Sequence, residues 1–345
     1  MSDSIIFNSF IENGGFFPLA VKHADTVFVF CRTGAGHLGQ TGKIAALASV
    51  NGTEWKKLGV ISKKNTDVRN PSAVIFPDGK MLLAAYKYNV YGKNGISSPS
   101  KYQSPDYRDT FIFSSDDGGH NWIEAQANFK QVTDKIGKVS PHGSMLLFNN
   151  RLLMPAYNGR GAFLLASKNS GIDWEIHSQI AAEMHEPYVA KTPSNTLIAV
   201  MRSGRKSKWA EASLISRFTG GQWAEPVAVT EPMQHPASLL ALSNGGILLS
   251  YSDRNYERQR IMLKLSDDEG LTWGKERQLG GQFENCDFGY PSTVEIEPGK
   301  LLTVFYVNRI ENPYFYFANP GLYSDAHVKG CYYLYSLDSC GIHPR

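Results

Sequence analysis

Two interleaved repeats predict that this chain of 345 residues folds as an all-β, six-bladed β-propeller. One repeat is a hairpin that begins at an X-Pro dipeptide and occurs six times. The other is an SxDxGxTW box, and five of the six tryptophans close a copy of it. The two repeats together extend over the whole chain, so we expect one propeller domain over residues 1–345.

The hairpin repeat is clearest between His185 and Arg202. Glu186 precedes a proline, an alternating run follows, Pro193-Ser194-Asn195 forms a turn, and an apolar strand returns. Antiparallel pairing brings Glu186 and Arg202 to the same end of this hairpin. The other copies begin at Phe17-Pro18, Asn70-Pro71, Ser140-Pro141, His235-Pro236 and Tyr290-Pro291. They end at or near Arg32, Lys87, Tyr157, Arg254 and Tyr306.

The box repeat predicts a turn whose own side chains bind its backbone N–H groups. Its cleanest copy is Ser266, Asp268, Gly270, Thr272 and Trp273. The box tryptophans at 122, 174, 223 and 273 follow one another at intervals of 52, 49 and 50 residues. The short acidic side chain accepts backbone N–H groups, glycine supplies an unusual dihedral angle, and tryptophan packs between strands. We therefore assign the box a structural role.

Three segments lie outside the two repeats. Residues 1–15 contain Ile5-Ile6-Phe7, and we expect them to add a strand to the last blade and close the ring. The segments 88–108 and 308–325 each follow the second strand of a hairpin. They are predicted to emerge on the face of the pre-proline residues, as a lid and an aromatic platform.

Composition excludes several classes of partner. The chain has 35 basic and 32 acidic residues and a net charge of +3, which indicates neither a nucleic-acid nor a membrane surface. The first ten residues lack the pattern of a secretion signal, so we expect a cytoplasmic protein unless a signal has been removed from a precursor. Its four cysteines form no CxxC pair, and we expect no metal and no cofactor.

These repeats, a Glu-Pro hairpin that ends in arginine, the later Ser252-Asp253-Arg254 and the final Gly289-Tyr290-Pro291-Ser292 resemble the sialidase superfamily of six-bladed propellers with Asp-boxes. The resemblance covers nearly the whole chain. It implies that the functional residues are Glu186, Arg202, Arg254 and Tyr290.

The resemblance also implies a mechanism. A sialic-acid anomeric carbon carries a carboxylate that repels an anionic nucleophile, whereas a neutral tyrosine hydroxyl with a glutamate beside it avoids that repulsion. Tyr290 and Glu186 are then the reacting pair. Arginines bind the substrate carboxylate through their forked donors and favour the tyrosinate.

Two positions depart from the family pattern. The first hairpin begins with Phe16-Phe17-Pro18 where sialidases have an arginine, which leaves Arg32 at the other end of that hairpin as the candidate replacement. The following loop contains no aspartate for the general acid. His37 stands there instead, and Asp67, with Arg69 beside it, is the competing acid.

Other candidates follow from the repeat symmetry. His235 and His142 lie at hairpin ends on the functional face, where we expect a structural role or a contact with substrate hydroxyl groups rather than a metal site. Tyr157, at the end of the third hairpin, is a further substrate-binding candidate. Together the patterns predict an exo-acting glycoside hydrolase that acts on a terminal acidic or otherwise decorated sugar. The alternatives are a polysaccharide lyase that uses tyrosine, histidine and arginine on a uronate, and a carbohydrate-binding propeller without turnover.

Overall fold

Six antiparallel sheets of four or five strands form the six blades of a β-propeller, which confirms the predicted fold class. The computed structural model describes residues 5–37, 39–64, 66–89, 108–284, 287–309 and 324–342. Strands alternate along the chain in the up-and-down order that the hairpin repeat predicts.

The first three blades follow one another along the chain. Blade 1 contains the strands Phe16–His23, Thr26–Thr33, Lys43–Ser49 and Lys56–Ile61. Blade 2 contains Asp67–Ile75, Met81–Tyr88, Arg108–Ser115 and Ile123–Ala125. Blade 3 contains Ser140–Pro141, Leu146–Phe148, Arg151–Asn158, Gly161–Ser167 and Glu175–Ala182.

The last three blades complete the ring. Blade 4 contains Met184–Lys191, Leu197–Ser203, Ser213–Thr219, Gln222–Trp223 and Val227–Ala228. Blade 5 contains Gln234–Ala241, Ile247–Asp253, Arg260–Ser266 and Arg277–Leu279. Blade 6 contains Phe288–Glu297, Lys300–Asn308, Val328–Ser336 and the N-terminal strand Ile6–Ile11.

The N-terminal strand closes the ring, as the sequence predicts. Ile6–Ile11 pairs with Val328–Ser336, so the two ends of the described chain share blade 6. Phe10 is 5% exposed and packs with buried residues of blades 1 and 6, including Val29 and Val304. Closure therefore depends on apolar burial as well as on ladder hydrogen bonds.

Each box forms the turn after the third strand of its blade. In the cleanest copy, Ser266 Oγ donates to Asp268 Oδ1 at 2.8 Å, and Asp268 Oδ1 accepts from Thr272 N at 2.8 Å. Ser266 pairs with Ile247, the residue that follows the hairpin turn. The box consequently lies at the end of the blade opposite the pre-proline residue.

Blade 3 departs from the regular plan. Its inner strand is interrupted after Pro141, and the chain turns toward the neighbouring blades, where Met145 N donates to Ala73 O at 3.0 Å. Ser144 Oγ lies 2.8 Å from Tyr188 Oη in blade 4. Contacts with blades 2 and 4 thus replace part of its ladder.

Helices are a minor part of the structure. The described residues contain the α-helix Lys130–Ile136 and the 3₁₀-helices Asp325–His327 and Asp338–Cys340. The described part of the chain holds no helix with the length and apolar character needed to span a membrane. The predicted lid and aromatic platform fall almost entirely within 90–107 and 310–323, which lie outside the described residues.

Candidate active site

Tyr290 and Glu186 meet at the centre of one face of the propeller, although 104 residues separate them in the sequence. Tyr290 Oη donates a hydrogen bond of 2.5 Å to Glu186 Oε1. Glu186 is 6% exposed, whereas Tyr290 is only partly buried. A molecule that enters this pocket therefore meets the phenol before the carboxylate.

The backbone at these pre-proline positions explains how the side chains reach the axis. Phe17, Asn70, Glu186 and Tyr290 have φ angles of 51°, 44°, 50° and 54°. Left-handed backbone is uncommon for residues with a Cβ and unusual before proline. The strand register shifts at the same four dipeptides, and such bulges redirect side chains. The surrounding ring holds this strain in place at the site.

Arg202 is the counterion of Glu186. Its Nε lies 2.8 Å from Glu186 Oε2, and its Nη1 donates to Glu211 Oε1 at 2.8 Å. The predicted proximity of Glu186 and Arg202 is confirmed, because His185 pairs with Arg202 across the hairpin. Burial acts to raise the pKa of Glu186, but Arg202, aided by the hydrogen bond from Tyr290, outweighs burial and holds it at about 2. Glu186 is thus ionised at neutral pH.

The phenol of Tyr290 is the weak acid of the pair. Burial and then the charge of Glu186 raise the pKa of Tyr290 well above its ordinary value, while Arg202 and Arg254 act in the opposite direction. Its ring packs edge-on against Phe17, with ring centroids 4.8 Å apart. The proton of the short hydrogen bond therefore rests on the tyrosine.

Asp67 lies in a closed cluster with two arginines. Both Arg32 and Asp67 have fully buried side chains, and Arg32 Nη2 donates to Asp67 Oδ1 at 2.7 Å. Arg69 Nη1 donates to Asp67 Oδ2 at 3.2 Å and to the carbonyl oxygen of His37 at 2.6 Å. Arg32 also donates to the carbonyl oxygens of Ala35 and Gly36. This cluster holds the loop that carries His37.

His37 lies at the rim of the pocket with a side chain that is 30% exposed. Its ring meets the ring of Phe17 edge-on at 5.3 Å, and its Nδ1 lies 4.0 Å from Asp287 Oδ1. Burial lowers the pKa of His37 to about 4; Asp287 opposes this effect, and Arg69 reinforces it. The imidazole is therefore neutral at neutral pH.

His142 and Tyr157 lie beside the central pair. His142 Nδ1 donates to Pro187 O at 3.3 Å, and its ring centroid lies 5.9 Å from that of Tyr290. Tyr157 contacts His142 edge-on at 6.3 Å. Burial raises the pKa of Tyr157 well above its ordinary value and lowers that of His142. Both groups are neutral hydrogen-bonding side chains.

His235 is the most enclosed histidine of the site. It is 5% exposed, and neither ring nitrogen has a hydrogen-bond partner among the described residues. Burial, followed by the positive charges of Arg254 and Arg202, lowers its pKa to about 2. His235 is consequently a neutral donor and acceptor.

Arg254 differs from the other arginines of the site. It donates to Phe288 O, and its guanidinium carbon lies 5.8 Å from the centre of the Tyr290 ring. Within the described ranges, no carboxylate oxygen lies within 4.0 Å of it, in contrast to Arg32, Arg69 and Arg202.

The sequence patterns did not identify two carboxylates of the site. Asp287 accepts from Tyr306 Oη at 2.7 Å and from Asn308 Nδ2 at 2.8 Å. It stands three residues before Tyr290, as Asp67 stands three residues before Asn70, so the hairpin alignment contained its signal. Glu211 follows the second strand of blade 4, the same place in the blade that His37 occupies in blade 1.

A family model described as "BNR repeat-like domain" matches residues 49–303. A sialidase of Bacteroides fragilis (strain YCH46) is 27% identical over 128 residues, which cover 34% of this chain and 23% of that protein. The match thus spans about a quarter of that relative's length.

Solved structures of the same fold include a protein of unknown function from Dyadobacter fermentans DSM 18053, with 16% identity, 96% and 99% coverage of the two chains and a TM-score of 0.74. The intramolecular trans-sialidase of Ruminococcus gnavus, solved with oseltamivir carboxylate, has 14% identity, 98% coverage of both chains and a TM-score of 0.68. The GH93 α-L-arabinofuranosidase of Fusarium graminearum, solved with arabinobiose, has 11% identity, 96% and 98% coverage and a TM-score of 0.63. Together the family match and these folds identify the chain as a sialidase-like member of the BNR repeat-like domain family.

Proposed function

We propose that this chain is an exo-acting glycoside hydrolase that binds one terminal sugar at the propeller axis, with Tyr290 as nucleophile and Glu186 as its base. The hydrogen bond of 2.5 Å between Tyr290 Oη and Glu186 Oε1 carries this proposal. A trans-sialidase and an arabinofuranosidase share the fold, which supports a propeller of the glycosidase type.

The contacts of Glu186 favour tyrosine as the attacking group. Its two carboxylate oxygens face Tyr290 and Arg202, so a sugar reaches the phenol first. In the first step a bond forms between Tyr290 Oη and the anomeric carbon, the phenolic proton passes to Glu186, and the bond to the leaving oxygen breaks. In the second step water displaces the tyrosine, and Glu186 returns the proton. Arg202 and Arg254 favour the developing phenolate.

The leaving oxygen needs a proton, and we assign its transfer to His37 rather than Asp67. His37 is partly exposed at the rim of the pocket, whereas Asp67 is fully buried between Arg32 and Arg69. His37 takes a proton back from the attacking water in the second step. Because its pKa lies at about 4, turnover is expected to rise as the pH falls from 7 toward 4.

The test uses the variants Tyr290→Phe and Glu186→Gln on a panel of 4-nitrophenyl glycosides. Each change removes one partner of the reacting hydrogen bond, and we expect kcat to fall by about 10²-fold or more in each, since proton transfer alone contributes that much. The exposed Tyr256 offers a matched control, and Tyr256→Phe should retain full turnover. Full activity of Tyr290→Phe would contradict a tyrosine nucleophile.

The products separate this proposal from its two rivals. A hydrolase releases a saturated sugar, a polysaccharide lyase leaves an unsaturated sugar that absorbs in the near ultraviolet, and a binding protein releases nothing. Near-ultraviolet absorbance with uronate polysaccharides and none of the saturated product would establish the lyase instead.

A further inference from the structure

Within the described residues, most arginines around the axial pocket already have a carboxylate of the protein nearby. Arg32, Arg69, Arg202 and Arg254 are accompanied by four carboxylates, Asp67, Glu186, Glu211 and Asp287, and a fifth arginine, Arg108, lies against the ring of Tyr157. Arg32 and Arg69 enclose Asp67, and Arg202 lies between Glu186 and Glu211. These three arginines thus already bind carboxylates of the protein. An added carboxylate would have to compete with those carboxylates in a partly desolvated site.

Arg254 is the exception, but its surroundings suit a neutral partner. Its guanidinium lies against the rings of Tyr290 and Phe288, and one nitrogen donates to Phe288 O. Burial acts to lower the pKa of Arg254, but Tyr306 and Tyr290, followed by the charges of Asp287 and Glu186, raise it, and these two carboxylates would repel an anion placed there. Its remaining donors can bind a hydroxyl or ring oxygen without adding charge.

Neutral polar groups point to the chemistry that the pocket recognises. His235, Asn70 and Ser140 stand at the pre-proline positions of three blades, and they are 5%, 5% and 0% exposed. Both ring nitrogens of His235, Oδ1 of Asn70 and Oγ of Ser140 have no hydrogen-bond partner among the described residues. A buried polar atom without a partner costs about 1–3 kcal/mol, and His235 has two such atoms at a hairpin end beside Arg202 and Arg254, so its imidazole is the group best placed to gain partners from a ligand.

A hydroxyl group fits these three positions better than a carboxylate. A hydroxyl both donates and accepts, whereas a carboxylate only accepts. Asn70 Oδ1 and the unprotonated nitrogen of a neutral imidazole are acceptors themselves, and they would face a carboxylate without a proton between them. From these paired arginines and these open groups, we infer that the sugar bound at this axis is uncharged and that His235 recognises one of its hydroxyl groups. This inference rests on the proposed function and specifies its substrate class.

The substrate test compares sugars that differ only in a carboxylate. The pairs are 4-nitrophenyl galactoside with galacturonide and glucoside with glucuronide, in both anomers, beside an α-L-arabinofuranoside and an N-acetylneuraminic acid glycoside. We expect kcat/KM for the preferred neutral sugar to exceed that of every acidic sugar by about tenfold or more, equivalent to 1.4 kcal/mol. Because salt screens charge interactions, kcat/KM for this neutral sugar should change less than about twofold between low and high salt.

Preference for a uronide or the sialoside, with turnover that weakens as salt rises, would overturn the inference and leave the glycosidase standing. Binding of the free sugars by calorimetry distinguishes the remaining cases. Binding of neutral sugars without hydrolysis of any glycoside would contradict the proposed function alone. Binding of neither class would contradict both.

The role of His235 is tested by His235→Phe and His235→Gln. Phenylalanine removes both nitrogens while it retains a planar ring, and we expect KM for the preferred neutral sugar to rise about tenfold, the loss of one hydrogen bond to a buried group. Glutamine retains one donor and one acceptor and should restore most of the affinity. The thermal stability of empty His235→Phe should equal or exceed that of the wild type, because the change removes unpartnered buried atoms. Equal KM in all three proteins would exclude His235 from recognition.

Discussion

Histidines that the axial pocket holds neutral make the stability of this protein depend on pH. An unfolded histidine has a pKa of about 6.5, whereas the pKa falls to about 4 at His37 and to about 2 at His235. Between the unfolded and folded values, the unfolded chain binds more protons than the native protein. The free energy of unfolding therefore has its full value above pH 6.5 and decreases as the pH falls through this window.

We expect His235→Gln to flatten that dependence between pH 6.5 and 4. Each buried imidazole contributes a slope of up to about 1.4 kcal/mol per pH unit, and glutamine removes one such contribution. The measurement is urea unfolding of both proteins at several pH values, with the exposed His120 replaced by glutamine as the matched control. Parallel curves for wild type and His235→Gln would show that His235 is not held neutral by the fold.

The sequence could predict the central residues but not all of their partners. Hairpin alignment brings Glu186, Arg202 and Tyr290 together because antiparallel pairing and ring symmetry fix where a hairpin end lies. It could not show that Asp67 is enclosed by Arg32 and Arg69. Arg32 belongs to the preceding blade, so its contact with Asp67 depends on the angle between neighbouring blades.

At the scale of the element, the box turn determines how closely neighbouring blades approach. Gly270 has a φ of 82°, and a Cβ there would lie 2.1 Å from Ile198 Cδ1 of blade 4. Gly118 has a similar φ of 72°, but a Cβ there would meet open space. A comparison of substitutions at the two glycines therefore distinguishes the effect of backbone strain from the effect of packing between blades.

Gly270→Ala should destabilise the protein by about 1–3 kcal/mol more than Gly118→Ala, because the extra methyl group overpacks the contact with Ile198. Both variants share the backbone penalty of a left-handed residue with a Cβ. Denaturant unfolding of the two variants gives the difference directly. Equal losses would mean that the side chain of Ile198 moves aside without a measurable penalty.

The elements themselves were largely predictable, with one exception. The hairpins and box turns follow from alternation, proline and glycine, whose effects are local. The interruption of the inner strand of blade 3 after Pro141 depends on hydrogen bonds to blades 2 and 4, such as Met145 N to Ala73 O. A local pattern does not contain those distant partners.

At the scale of the whole molecule, the N-terminal strand completes the last blade of the ring. Phe10 and Phe7 lie on the same strand, but Phe10 is 5% exposed and Phe7 is 53% exposed. Phe10→Ala leaves a cavity among the apolar residues between blades 6 and 1.

We expect Phe10→Ala to lower the free energy of unfolding by about 3–5 kcal/mol, the usual loss for a buried phenylalanine. Phe7→Ala is the matched control, and its loss should be about 1 kcal/mol or less, as for most surface changes. Thermal and urea unfolding measure both. Similar losses for the two variants would show that closure depends on the ladder hydrogen bonds rather than on the buried ring.

The pairing of Ile6–Ile11 with Val328–Ser336 also fixes an order of events during synthesis. The strand Ile6–Ile11 is translated before its partner, and it stays unpaired until Val328–Ser336 has been translated. Until then Phe10 is exposed on an unpaired strand, and the inner edge of blade 1 lacks its neighbour from blade 6. While the segment between these two strands is synthesised, the growing chain therefore presents an unpaired strand and an open sheet edge to other chains, and in that interval aggregation competes with folding.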